Sequence, residues 1–122
     1  MIPLSFYLNR DMSEGYETYV LIDDGNIQGL VSYHIRDFTN VHDTMYLSRI
    51  GVREGKQGKG YGSDLCRFLI NKCVEKGAII MCCEALRDVT PFFMRLGWEP
   101  ILTYDDPHWG EGCVTLIFRV PR

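Results

Sequence analysis

Apolar and polar positions change their period several times along this chain, and each change marks an element. A short strand is expected around Leu4 to Leu8, followed by the polar stretch 11–17. Thr18 to Ile22 reads as a strand. Asp23-Asp24-Gly25-Asn26 carries the residue types of a tight hairpin turn, and Ile27 to Arg36 is the returning strand, with Gly29 marking a bulge. Asp37 to Asp43 reads as a loop and Thr44 to Val52 as the next strand. The period then becomes helical over Gly62–Lys76: Leu65, Leu69 and Cys73 fall on one line, and Cys66, Ile70 and Val74 beside it. Lys72 and Lys76 suit the negative end of that helix, and Gly77 suits a left-handed cap. Ala78 to Ala85 is a nearly unbroken apolar run, the pattern of a buried central strand. Asp88 or Thr90 can cap a short helix with Pro91 in its first turn, carrying Phe92-Phe-Met-Arg-Leu-Gly97-Trp98. Ile101–Tyr104 and Cys113–Val120 read as closing strands. The order is strand, hairpin, strand–helix–strand–helix, strand–strand: an α/β (α+β) class chain with a mixed sheet and flanking helices.

Composition narrows the function classes. At 122 residues the chain is read as one domain, 1–122, long enough for a hydrophobic core. No apolar run approaches the roughly 20 residues of a membrane span, and the N-terminus lacks a signal peptide's basic start and long apolar core. Five cysteines without a C-x-x-C pair suggest reduced thiols and a cytoplasmic protein; Cys82 and Cys83 are adjacent in a strand and point to opposite faces. No metal site is expected. A net charge of −3 argues against general nucleic-acid binding and leaves room for cationic substrates.

The most informative stretch is Ser48-Arg-Ile-Gly-Val-Arg-Glu-Gly-Lys-Gln-Gly-Lys-Gly-Tyr-Gly-Ser63. Gly55, Gly58, Gly60 and Gly62 crowd the junction between strand and helix, with Lys56 and Lys59 among them. Such a loop aims several backbone N–H groups at one spot beside the positive end of a helix, which suits a phosphate or diphosphate. A P-loop needs G-x-x-x-x-G-K-S/T, but Gly60 follows Lys59, so the magnesium-binding hydroxyl is missing. A dinucleotide fingerprint needs G-x-G-x-x-G and an acidic residue about twenty positions on, and neither fits.

Val52, Gln57, Gly60 and Gly62 do match the Q/R-x-x-G-x-G/A signature that follows a strand ending in Val. Here the chain resembles the GCN5-related N-acetyltransferase (GNAT) family. Phe92, Phe93, Arg95, Leu96, Gly97 and Trp98 are similar to that family's F-Y-x-K-x-G-F segment, and Gly25-Asn-Ile-Gln-Gly-Leu-Val-Ser-Tyr33 to its second hairpin. The resemblance spans roughly residues 18–120 and implies a mixed, mostly antiparallel sheet. The family's two helices between the first two strands have almost no room here, so they are shortened or absent. That implies an open acceptor side or one covered by a partner subunit, as in a homodimer.

The resemblance also implies a chemistry. Acetyl-CoA, a co-substrate, would lie in a V between strands 44–52 and 78–85. Ile50, Gly51 and Val52 would meet its pantetheine arm. Gln57, Gly58, Lys59, Gly60, Tyr61, Gly62 and Ser63 would hold its diphosphate, and Phe93 and Arg95 would flank it. Direct attack by an amine needs a neutral nucleophile, an oxyanion donor (the Val52 N–H) and a proton for the thiolate. The family's usual acid, a Tyr, is Phe93 here, and Thr44–Val52 has no carboxylate to serve as base. Tyr46 and Ser48 on the strand are the candidates for proton transfer, with His108 and His42 as the histidine candidates. Tyr104 is a substitute acid, and Asp105, Asp106 and Glu111 could attract a cationic acceptor. The expected activity is N-acetyl transfer from acetyl-CoA to a primary amine; the alternative is an acyl-CoA-binding regulatory domain without catalysis.

Overall fold

A computed structural model describes the backbone of residues 5–10, 16–38, 41–108 and 110–121, and the side chains of 16–34, 44–108 and 112–121. Leu4, the stretch 11–15, the His42 side chain and the Glu111 side chain lie outside the described residues. Seven strands form one sheet: β1 (Ser5–Arg10), β2 (Glu17–Asp23), β3 (Asn26–Phe38), β4 (Val41–Val52), β5 (Ile80–Leu86), β6 (Glu99–Asp106) and β7 (Gly110–Arg119). Their order is β1-β2-β3-β4-β5-β7-β6. Every pairing is antiparallel except β4 with β5. The single parallel pair needs a crossover, which is helix α1 (Tyr61–Lys76). A 3-10 turn (Arg87–Val89) and the short helix α2 (Thr90–Arg95) link β5 to β6.

The mixed, mostly antiparallel sheet is as expected, and three local readings change. Of the expected loop 37–43, the described residues 37–38 and 41–43 lie in β3 and β4, and Phe38 pairs with Val41. Polar residues there masked a strand whose pairing is set by its neighbour rather than by its own pattern. Second, β5 begins at Ile80, and its apolar run is buried on one face only: Met81 and Cys83 are buried, while Ile80 and Cys82 are half-buried. Third, neither Asp88 nor Thr90 caps α2: its N-cap is Val89 and no side chain caps it, while the Thr90 hydroxyl donates to the Leu86 carbonyl.

One face of the sheet carries the core. Leu21, Val31, Tyr33, Met45, Leu47, Met81, Cys83, Val114 and Leu116 meet Leu65, Leu69 and Cys73 of α1 and Phe93 of α2, with Trp98 beyond it. Both helices therefore pack on the same face, and among the described residues no helix lies on the other. The α1 amphipathic stripe ends as read from sequence: Gly77 takes a left-handed conformation, and its N–H reaches the Val74 carbonyl.

Candidate active site

The β4 and β5 strands pair only through Thr44–Ile80, Met45–Met81 and Tyr46–Cys82. Beyond Tyr46 they separate, leaving a V that opens toward their C-terminal ends. The cause lies on the other side of β4. Ser32 faces Arg49, but Tyr33 faces Leu47, so Ser48 is an extra residue in β4. A bulge of this kind bends its strand and adds local twist, which carries β4 away from β5.

The bulge also decides which backbone groups face the V. The Arg53 N–H donates to the Gln28 carbonyl of β3 at 2.8 Å. In an antiparallel ladder successive residues point to opposite edges. Ile50 and Val52, out of phase with Arg53, therefore direct their N–H and C=O groups away from β3 and toward the gap. Gly51 shares the phase of Arg53 and turns to Leu30 of β3. Of the three, Gly51 can offer a ligand only its bare surface.

At the mouth of the V lies the glycine loop. Gly55, Gly58 and Gly60 all have positive φ (82°, 84° and 86°). Gly60 is the N-cap of α1, and no side chain caps the helix. The first bond within the helix runs from the Asp64 N–H to the Gly60 carbonyl, so the N–H groups of Tyr61, Gly62 and Ser63 have no acceptor inside it. They project from the positive end of a 16-residue helix. Arg53, Lys56 and Lys59 stand around the loop, and among the described residues none of them is in an ion pair. The arrangement is an anion cradle made of backbone with cations at its rim.

Individual loop residues divide their work. Gln57 is a brace: its side-chain amide donates to the Val52 carbonyl at 3.3 Å and its oxygen accepts the Gly55 N–H at 3.0 Å. Tyr61 turns its hydroxyl away to Asp23, which accepts it at 2.7 Å and, as the largest cause, raises the phenol's pKa. What Tyr61 offers a ligand is its backbone amide. Gly62 is required by packing, since a Cβ there would sit 2.7 Å from the ring of Phe92 on α2. Gly58, Lys59, Gly60 and Ser63 face solvent wholly or in part.

The α2 residues read as cofactor contacts also separate. Phe93 is only 6% exposed and packs edge-on between Phe92 and Trp98. Its place in the core leaves it no open face to lay along a ligand. Arg95, in the last turn of α2, is exposed.

Of the proton-transfer candidates, Tyr46 and Ser48 meet at the V. Tyr46 is the last β4 residue paired with β5, and Ser48 is the exposed bulge residue. His108 is on the exposed turn between β6 and β7, its N–H donated to Asp106 at 2.7 Å. That turn lies at the open end of the V, because Leu86 at the end of β5 pairs with Cys113 near the start of β7. Asp105 and Asp106 both accept backbone amides of this turn, from Gly112 and His108.

Two groups here were not foreseen. His34 of β3, 4% exposed, lies with its ring centroid 5.3 Å from that of Tyr46 and 4.2 Å from that of Tyr16. Glu84 of β5 projects on the helix-free face, two residues beyond Cys82, and Tyr104 of β6 lies on the same face across β7. Burial and then the nearby Glu84 carboxylate push the Tyr104 phenol up to about 12. The strand alternation around Tyr104 was visible in sequence, but nothing local tied it to a carboxylate twenty residues earlier. Burial likewise pushes the thiols of Cys66 and Cys83 up to about 11 and about 12, so they are poor nucleophiles. Among the described residues no cluster of His, Cys, Asp or Glu could hold a metal.

Known proteins share this architecture. An acetyltransferase from Bacillus subtilis solved in complex with CoA superposes with a TM-score of 0.82 at 15% identity, over 98% of this chain and 100% of that one. A GNAT family acetyltransferase from Elizabethkingia anophelis with acetyl-CoA bound gives 0.79 at 14% identity, over 98% and 99%. The ribosomal-protein-S18-alanine N-acetyltransferase from Escherichia coli gives 0.72 at 18%, over 91% and 73%. No curated protein matches the chain by sequence. The sequence profile described as "Acetyltransferase (GNAT) family" matches residues 3–98. With that match over most of its length, the chain belongs to the GNAT acetyltransferase family.

Proposed function

We propose that residues 1–122 act as one N-acetyltransferase domain that moves an acetyl group from acetyl-CoA to a primary amine by direct attack in a ternary complex. The observation that carries this reading is the V itself: β4 and β5 part after Tyr46 and Cys82, and an uncapped helix N-terminus sits at the mouth. In this reading the pantetheine arm lies along β4 as an added strand, pairing with Ile50 and Val52. The diphosphate lies on the amides of residues 58–63, with Lys56 and Lys59 adding charge attraction. Two similar chains of matching length carry CoA or acetyl-CoA, which supports the cofactor assignment.

The thioester then sits near Tyr46 and Ser48, with the Val52 N–H toward the carbonyl oxygen as it becomes an oxyanion. Holding both substrates side by side supplies much of the acceleration. Ser48 and Tyr46 relay protons at the reacting end, and His108 faces the incoming acceptor. Small-molecule amines, polyamines and protein lysines or N-termini are the acceptor classes. The helix-free face is where a second copy of the chain would sit in a homodimer. The five free cysteines suit a reducing, cytoplasmic setting, and no described helix is long and apolar enough to cross a membrane.

One observation favours a second reading, an acyl-CoA-binding regulatory domain: Phe93 carries no proton and is buried where the family places its acid. Release of CoA thiol from acetyl-CoA across polyamines, aminoglycosides, amino acids and lysine peptides, against a blank without acceptor, separates the two. Release with one class establishes the transferase. Tight acetyl-CoA binding without release supports the regulatory domain. Equal binding of CoA and adenosine 3′,5′-bisphosphate would remove the pantetheine arm from the site and defeat both.

A further inference from the structure

Helix α1 is fastened at both ends to β2. At its C-terminal end Lys76 pairs with Glu17 at 2.9 Å, and Glu17 also accepts the Tyr33 hydroxyl of β3 at 3.1 Å. At its N-terminal end the Tyr61 hydroxyl donates to the Asp23 carboxylate at 2.7 Å. Glu17 is the first residue of β2 and Asp23 the last, so the two fasteners stand at opposite ends of one strand. A phenol donating to a carboxylate makes the stronger, charge-assisted kind of hydrogen bond. Asp23 is itself held: its carbonyl accepts the side-chain amide of the buried Gln28 at 3.3 Å. The Gln28 carbonyl in turn accepts the Arg53 N–H at 2.8 Å. The glycine loop runs from Arg53 to Gly60, between β4 and α1. Both of its ends therefore rest on the end of the β2–β3 hairpin, the entry through Arg53 and Gln28, the exit through Tyr61 and Asp23. Between these pins Gly55, Gly58 and Gly60 take positive φ, where glycine leaves the backbone a wide choice of conformations. The entry pin is backbone, but the exit pin is a single side chain. That side chain belongs to the residue that opens α1 and carries the first of its N–H groups without an acceptor in the helix.

We infer that Tyr61 is a positioning residue for the anion cradle, and that its bond to Asp23 sets the first turn of α1 before the cofactor arrives. This inference rests on the reading above of that cradle as the CoA diphosphate site. The phenol turns away from the cradle, so it acts through the backbone it holds and not by contact. Pinning both ends of the loop in the free protein lowers the ordering cost of closing its amides on a ligand. Asp23 then acts on the cofactor in two opposing ways. Its negative charge at the cradle's edge disfavours an anion, and its bond to Tyr61 favours one by keeping the amides arranged. Asparagine at position 23 removes the charge and keeps an oxygen that can accept the phenol, whereas alanine removes both.

The test measures CoA affinity by calorimetry, urea stability, and amide hydrogen exchange of the ligand-free protein. It compares wild type with Tyr61→Phe, Asp23→Asn, Asp23→Ala, the double variant Tyr61→Phe/Asp23→Ala, and Tyr33→Phe. Tyr61→Phe should bind CoA about tenfold more weakly, the cost of ordering a released turn on binding. Exchange at the Gly62 and Ser63 amides should quicken in the same variant. Asp23→Asn should bind CoA at least as tightly as wild type, because the bond survives and the charge is gone. Asp23→Ala should bind more weakly than Asp23→Asn, and adding Tyr61→Phe to it should cost nothing further, since the bond is already lost. Tyr33→Phe gives up the matching phenol–carboxylate bond at the far end of α1. It should lose stability and keep CoA affinity within about twofold, which separates positioning from general weakening of the fold. If Tyr61→Phe binds CoA within about twofold of wild type, or loses as much in the Asp23→Ala background, the inference fails and the cofactor site stands. Unchanged exchange at Gly62 and Ser63, or an equal loss of affinity in Tyr33→Phe, overturns it as well. If wild type binds no CoA, the reading of the cradle fails and takes the inference with it.

Discussion

The two walls of the V are built from different material. The β4 wall with its glycine loop presents backbone: amides at Ile50 and Val52, amides at the start of α1, and Gln57 holding the strand end to the loop. The β5 wall presents side chains, Cys82 and Glu84, with Tyr104 reaching in across β7. Backbone recognition suits a cofactor part common to many reactions, because amides and a helix end bind any diphosphate. Side-chain chemistry suits the variable part, the acceptor. The division means the walls should fail separately: damage to the glycine loop should remove cofactor binding, and damage to the β5 wall should spare it.

The largest expected effect breaks the first wall. Gly60→Asp puts a carboxylate against the proposed diphosphate position at a φ of 86°, where a side chain costs about 1 kcal/mol. Nothing lies within 4 Å of a Cβ built there, so the fold should tolerate it. Calorimetry should show CoA affinity reduced about 100-fold or more, equivalent to about 2.7 kcal/mol, with the Tm lowered by only about 3–6 °C. Normal CoA binding by this variant would mean that the loop is not the site. Gly60→Ala should fall between, since it brings the strain without the charge.

The same division explains what could be read from sequence. The glycine cradle was legible because its parts are neighbours: Val52, Gln57, Gly60 and Gly62 carry the signal within eleven residues. Helix α1 was placed to within one residue because its stripe and its Gly77 cap are local features. The Ser48 bulge was not visible. It exists only in the register between β3 and β4, and a serine carries no mark of it. Tyr46 and Ser48 could be named from the strand, but the separation of β4 from β5 just past them could not. The placing of Glu84 and Tyr104 on one face was hidden for the same reason, since it is made across an intervening strand by residues with no shared spacing. Thr44–Val52 carries no carboxylate, while Glu84 stands on the facing strand.

A second substitution sharpens the boundary within the loop. Gly62 sits two residues from Gly60 but answers to packing, with Phe92 2.7 Å from its missing Cβ. Gly62→Ala should destabilise the protein by about 1–3 kcal/mol through overpacking between α1 and α2, read from urea unfolding. Phe92→Leu should restore part of that loss. CoA affinity should fall much less than for Gly60→Asp. Equal losses of affinity at both positions would show that the start of α1 moves as one unit with the loop.

Alkaline pH probes the β5 side. Burial raises Cys83 to about 12, and Cys66, packed in the same core, to about 11, against an ordinary thiol value of 9.0. The folded state therefore keeps protons that the unfolded chain gives up. The stability this represents is complete below pH 9 and is lost as pH climbs toward the folded values. Between pH 8 and 10.5 the urea midpoint should drop, by about 1–2 kcal/mol for each thiol. Cys83→Ala should flatten part of that slope, and an unchanged slope would assign the alkaline loss to other groups, such as the buried Tyr33 phenol, which is also raised.

The smallest effect tests whether the two walls share a hinge. Gln57 is exposed, and its two hydrogen bonds stitch the loop to the end of β4. Bonds in so wet a setting contribute less than about 1 kcal/mol to stability, so Gln57→Ala should barely move the Tm. Its consequence lies in order: without the brace, the Val52 carbonyl and the Gly55 amide turn to water, and the amides of residues 58–63 must be arranged by the ligand. Binding then carries an ordering cost, and CoA affinity should weaken about three- to tenfold, up to about 1.4 kcal/mol. The kcat at saturating acetyl-CoA should hold, since the ordering cost is met once the cofactor is bound. A fall in kcat larger than the fall in affinity would show that the strand end held by Gln57, with the Val52 N–H on it, acts on the reacting carbonyl as well as on the cofactor.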